Sequence, residues 1–135
     1  MRTHLEFRSD DFPPQPGEQD EVNPGRWGKL LASYLRTELS ARGLGGASPI
    51  AEDWGFCIPI ENSEFPLWVG CGNYEQYPNG FLCFIEPRKP FVRKLLRKID
   101  TTTRVEEVAT ALESALRAHG GVRDLRWWTE EEAGA

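Results

Sequence analysis

The sequence predicts an α+β fold: a mainly antiparallel sheet with helices packed on one face. Three observations carry this. Apolar runs between residues 54 and 87 are separated by short turns, which makes neighbouring strands antiparallel. Two longer stretches, 24–42 and 103–119, repeat their apolar residues at helical spacing. Strands grouped between helices belong to segregated α+β architectures rather than to alternating βαβ units. The expected order is β-α-β-β-β-α-α-β, in a single domain spanning residues 1–135.

The elements follow in chain order. "THLEFRS" (3–9) alternates and reads as a first strand. Residues 10–23, rich in Pro, Gly and acids, read as a loop or extended arm. Asn23 and Pro24 suit an N-cap and a first helical position. Trp27, Leu30, Leu31, Tyr34, Leu35 and Leu39 then form one apolar stripe, which Gly43 ends. Strands are expected at 54–61, 66–75 and 80–87. Residues 89–100, "KPFVRKLLRKID", read as a short basic helix or, alternatively, an irregular basic segment. Thr103 and Glu106 have the spacing of a capping box for the next helix, which Gly120 ends. "GVRDLRWW" (121–128) reads as the last strand, and 129–135 as a frayed acidic tail.

The central strands pose a packing question. Pairing Cys57 with Cys71 and Cys71 with Cys83 puts both loop midpoints inside the expected turns, so the three thiols would stand in a row on one face. Leu67, Val69, Phe81 and Ile85 would share that face. Phe56, Ile58, Ile60, Trp68, Tyr74, Leu82 and Phe84 would occupy the other. Two helices cover one face of so small a sheet. The bulkier set, Ile58 to Phe84, is the expected core, because it offers more area to bury. The face of Leu67 and Val69 is then the expected contact surface.

Composition limits the function classes. The chain carries 16 Lys and Arg against 21 Asp and Glu, a net charge of −5, which disfavours direct nucleic-acid binding. No apolar run approaches the ~20 residues of a membrane span, so no membrane partner is expected. The N-terminus has no apolar signal segment, and three cysteines without a CxxC suit a reducing compartment, so a cytoplasmic location is expected.

No catalytic set assembles from the residues, and neither a cofactor nor a metal is expected. Three thiols fall short of a four-ligand zinc site. A thiol nucleophile needs a base, and His4 and His119 lie far from the cysteines in sequence. Gly70 and Gly72 do not form a phosphate loop, since no helix follows them. Charge suggests contacts instead. Asp20, Glu21, Glu52 and Asp53 are loop acids able to meet a basic partner. Arg88, Lys89, Arg93, Lys94, Arg97 and Lys98 form a basic run, with Arg93 and Arg97 one turn apart if helical. Leu67, Val69 and Tyr77 complete the expected contact residues.

The phrases "EDWGFCIPIENSEFPLWVGCGNYEQYPNGFLCFIEP" and "NPGRWGKLLASYL" resemble a family of small, functionally uncharacterised bacterial proteins, a resemblance covering most of residues 20–128. It brings no catalytic motif with it. In size and charge the chain is also similar to toxin-immunity proteins and other small inhibitors. The expectation is a non-catalytic protein-binding module of the bacterial immunity or inhibitor type, whose partner is another protein. The alternatives are a small enzyme or ligand-binding domain, with a pocket between sheet and helices around Trp54, Trp68, Tyr74 and the cysteines, and a structural homodimer.

Overall fold

A computed structural model describes residues 1–134. It has the expected α+β fold. Strands β1 (His4–Arg8), β2 (Ile50–Glu52), β3 (Gly55–Ile60), β4 (Leu67–Asn73), β5 (Gly80–Glu86) and β8 (Arg123–Trp127) form one sheet in the order β2-β3-β4-β5-β1-β8. Every pairing in it is antiparallel. Helices α1 (Lys29–Ala41) and α2 (Thr102–His119) lie on one face, α1 against β3 and β4 and α2 against β5. A separate hairpin, β6 (Phe91–Lys94) and β7 (Arg97–Asp100), leaves the sheet between β5 and α2. A short helix, α3 (Glu130–Gly134), ends the described chain.

The helices bury the stripes that their spacing announces. Leu31, Leu35 and Leu39 of α1 and Val105, Val108, Leu112 and Leu116 of α2 are buried against the sheet. Tyr34, half-buried, donates its hydroxyl hydrogen bond to the Ala115 carbonyl at 2.7 Å and ties the helices together. Both stop residues are in place: Gly43 and Gly120 take φ of 82° and 84°, left-handed values that cost glycine nothing.

Helix starts differ from expectation. α1 begins at Lys29, not at Pro24, because its cap comes from a distance. Glu18, 1% exposed, accepts hydrogen bonds from the Gly28 and Lys29 amides at 2.6 and 2.8 Å and from Gln15 at 2.8 Å. A carboxylate there satisfies amides that have no helical partner and complements the helix dipole. The acid-rich arm is thus anchored, and Phe12 and Val22 are buried with it. α2 does not use the Thr103–Glu106 box. Asp100 accepts from the Thr102 amide at 3.1 Å, and Glu106 turns to Arg2 at 2.8 Å. A reciprocal box occurs instead in the segment expected to fray. Thr129 Oγ1 accepts from the Glu132 amide at 3.1 Å, and Glu132 accepts from the Thr129 amide at 2.8 Å. The last residue of that segment, Ala135, lies outside the described residues.

The register of β3 corrects the expected faces. β4 and β5 pair as expected, with Cys71 opposite Cys83. β3, however, places Phe56 opposite Cys71 and Cys57 opposite Gly70, one residue from the expected pairing. A one-residue slip exchanges the two faces of a strand. Phe56, Ile58 and Ile60 thereby join Leu67, Val69, Cys71, Phe81, Cys83 and Ile85 under the helices, and all nine are buried. The expected register would instead have put Cys57 and Pro59 against the helices. The observed one buries three large apolar side chains there, the larger gain. Leu67 and Val69 therefore belong to the core and are not contact residues.

The basic segment is the second correction. Residues 91–100 form a two-stranded ribbon, not a helix. Ile99 is buried and Val92, its cross-strand partner, is half-buried, so one side of the ribbon seats on the body. The β-branched pair suits a strand.

Candidate aromatic interface

The face of the sheet turned away from the helices is lined with aromatic rings. They form a connected row. Tyr74 meets Trp128 edge-on at 6.0 Å between centroids, and Trp128 stacks on His4 at 5.2 Å. His4 stacks on Phe84 at 5.8 Å, and Phe84 touches Trp54 at 5.1 Å and Trp68 at 5.6 Å. Register explains the row. His4 pairs with Phe84 across β1 and β5, and Phe84 pairs with Gly70 of β4. Gly70 is where the Phe84 ring lies flat: a Cβ there would fall 2.3 Å from ring atoms. Gly72, the next outer position of β4, lets the Trp54 backbone approach closely, with its carbonyl 2.8 Å from a notional Cβ.

Tyr74, Trp54, Trp68, Phe84 and Trp128 are each half-buried, supported by one another and not by a covering element. His4 is buried among them, at 6% exposure. Burial, with the Arg88 charge second, holds its imidazole below the ordinary value, so the neutral ring is favoured; the Glu86 charge opposes this. Its Nδ1 is 2.9 Å from the Thr3 hydroxyl. The rim is polar and mutually paired. Arg126 bridges Glu6 at 2.9 Å, Arg88 bridges Glu86 at 2.6 Å, and the Trp128 indole N–H donates to Glu6 at 2.8 Å. At the Trp68 end the face continues into a groove between the β3–β4 loop and the hairpin, lined by Pro66, Trp68, Glu86, Val92 and Arg93.

The expected contact residues distribute around this face. Asp20 and Glu21 are exposed, and Glu21 bridges Lys29 at 2.7 Å. The Asn23 amide donates to the Asp53 carbonyl at 3.1 Å, which brings that acidic stretch beside Glu52 and Asp53. Trp54, at one edge of the aromatic row, follows directly on Asp53. Tyr77 is 42% exposed on the β4–β5 turn, under the Arg8 guanidinium at 4.7 Å. Arg93 and Arg97 share no helix face. Arg93 pairs with Lys98 and Arg97 with Lys94, on opposite faces of the ribbon.

Sequence reasoning named Trp68 and Phe84 but assigned them to the core, and it gave His4 and Trp128 no place on this surface. The signal was present in β4: glycines at alternate outward positions, 70 and 72, mark where a neighbour's ring or backbone lies on the strand.

Thiol chemistry finds no support in the geometry. Cys71 and Cys83 are fully buried, and burial pushes both thiols well up; for Cys71 the neighbouring thiols Cys83 and Cys57 add to the effect. Cys57 lies on the outer face, half-buried, its thiol raised by burial and then by Glu52. It is three strand spacings, about 14 Å, from His4 of β1. His119 contacts Asp11 at 3.0 Å and packs on Phe12 and Tyr34. Among the described residues no three His, Cys, Asp or Glu side chains converge as a metal-ligand set. Nor, among the described residues, is any helix long and apolar enough to cross a membrane. No protein-family model, no curated protein and no solved structure matches this chain.

Proposed function

We propose that this chain is a non-catalytic protein-binding module of the bacterial immunity or inhibitor type, which acts by covering a surface of a partner protein. The observation that carries the reading is the aromatic face: five half-buried rings and a buried imidazole in one row, bordered by paired charges, on the side of the sheet opposite helices α1 and α2. An aromatic centre inside a polar rim is the anatomy of a protein interface. Trp and Tyr are enriched among the residues that dominate binding energy, because they bring rigid area at little entropic cost. The acids beside Trp54 add a charge pattern suited to a basic partner.

The enzyme alternative draws less support. Trp54, Trp68, Tyr74 and Cys57 lie on the outer face, whereas Cys71 and Cys83 lie in the core, so the residues of the expected pocket are divided between the two faces of the sheet. The homodimer alternative would use the same aromatic face against a second copy.

The test is stoichiometric capture with a matched control. Tagged wild-type protein recovers one dominant partner at a fixed ratio, and a Trp54→Ala/Trp68→Ala variant of unchanged circular dichroism loses it by at least about 30-fold, the size of a hot-spot loss of 2 kcal/mol. Equal recovery by both forms would remove the aromatic face from the reading. Sedimentation of purified protein as a concentration-dependent dimer that the same variant abolishes would assign the face to self-association.

A further inference from the structure

The β6–β7 hairpin ends in two adjacent leucines that stand in solvent: Leu95 is 97% and Leu96 101% exposed. Lys94 pairs with Arg97, so these two residues are the whole loop. Leu95 takes φ of 58°, in the left-handed region, while Leu96 does not. A positive φ at the first central position alone is the sign pattern of a type II′ turn, where glycine is the favoured residue. Leucine is therefore a poor choice for the turn and contributes no burial to the core.

The charges around this apex are arranged on both sides. Arg93 and Lys98 share one face of the ribbon, and Lys94 and Arg97 share the other. Residues 88–100 hold six cations and one acid, Asp100, in a chain of net charge −5. Of the four cations behind the apex only Arg97 has an ion-pair partner among the described residues, Glu64 at 3.1 Å. Phe91, 37% exposed, lies at the base beneath Lys98 and Arg93, at 4.0 and 5.8 Å from its ring centroid.

We propose that this hairpin is a tip-first contact for an anionic lipid bilayer, with Leu95 and Leu96 entering the interface and Arg93, Lys94, Arg97 and Lys98 meeting headgroup phosphates. Apolar area inserted at the acyl boundary and cations at the headgroups are the two terms that hold peripheral proteins to membranes. The composition favours lipid over a protein pocket, since protein interfaces are depleted in Lys and their hot spots under-represent Leu. Cations on both faces suit a partner that presents the same charge all around the apex. The contact is peripheral and is made by the tip of the hairpin, whose base borders the groove at the Trp68 end of the aromatic face. It differs from the expectation of no membrane partner because that expectation concerned spans.

The full-length protein is sedimented with vesicles of phosphatidylcholine alone and of phosphatidylcholine mixed with phosphatidylglycerol. Wild type binds the mixed vesicles, binds them less as salt rises, and stays in the supernatant when the vesicles are pure phosphatidylcholine. Leu95→Gly/Leu96→Ser suits the turn, so its thermal midpoint equals or exceeds wild type, yet it binds mixed vesicles at least about tenfold more weakly. Arg93→Glu/Lys98→Glu loses binding as well. Wild type that ignores the mixed vesicles, or a Leu95→Gly/Leu96→Ser variant that binds them equally, overturns the proposal. Absence of vesicle binding together with loss of a captured protein partner in that variant would reassign the hairpin to the partner.

Discussion

The two faces of the central sheet are built from different side chains and are covered differently. Toward the helices stand aliphatic residues, phenylalanines and two thiols, each buried to within a few per cent of complete exclusion, as with Val69 and Ile85 at 0%. Away from the helices stand rings that shelter one another and keep part of their area in water, with glycines beneath them. Both faces are apolar, yet among the described residues only the first is covered by the long helices α1 and α2. The difference teaches that apolar content alone does not locate a core. A face built of aliphatic side chains needs another element over it, while a row of rings on a glycine-bearing strand can stand partly exposed and remain free for a partner.

The largest expected effect breaks this comparison most easily. Phe81→Ala empties a core site and should cost about 3–5 kcal/mol, whereas Phe84→Ala on the outer face should cost about 1–2 kcal/mol, since only part of its area is buried. Denaturant titration of the two variants measures both; equal costs would mean that the faces are energetically alike. Gly70→Ala comes next. Its methyl would meet the Phe84 ring and should destabilise by about 1–3 kcal/mol, the range for overpacking. Phe84→Leu in the same chain should recover part of that loss.

Two smaller effects sharpen the comparison. Native thiol labelling should modify Cys57 first and leave Cys71 and Cys83 unreacted until the protein unfolds, because the slip in β3 puts Cys57 alone on the outer face. Simultaneous reaction of all three would contradict the register. The pH effect is smaller still. The His4 imidazole is held below its ordinary value in the fold, so the unfolded chain binds its proton first as pH falls. Stability contributed by the neutral ring is complete above the ordinary value of about 6.5 and declines as pH drops from there through the lowered folded value. Thermal midpoints measured across that window should fall for wild type and fall less for His4→Phe, which keeps the stack and removes the titration.

Much of the fold was legible because its signals were local. Leu31, Leu35 and Leu39 repeat at helical spacing, and the turn between β4 and β5 sets Cys71 opposite Cys83. The parts that were not legible had either two equal answers or a distant cause. In β3 both parities are apolar, Cys57 and Pro59 against Phe56, Ile58 and Ile60, so alternation could not choose a register and the six-residue connection 61–66 did not force one. In the basic segment, cations at 93, 94, 97 and 98 satisfy helical and hairpin spacing alike, and the adjacent leucines resemble an apolar stripe when they are in fact the turn. The cap on α1 comes from Glu18, ten residues before Gly28, which no sequence window around the helix start contains. The candidate site was half legible. The acids beside Trp54 were anticipated as contacts, but Trp68 and Phe84 were assigned to the core because their size suggested burial.

Trp68 and Val69 are adjacent in sequence and point to opposite faces, so a single pair of variants tests the division of the sheet directly. Val69→Lys places an unpaired charge in the core, a cost of several kcal/mol that a domain of ordinary stability, about 5–15 kcal/mol, can scarcely withstand. Trp68→Lys places the same charge at the edge of the open face, where water reaches it. Measured side by side by thermal unfolding, Trp68→Lys should retain a cooperative transition within a few degrees of wild type, and Val69→Lys should show none or one lowered by tens of degrees. Loss of the transition in Trp68→Lys, or its survival in Val69→Lys, would contradict the account.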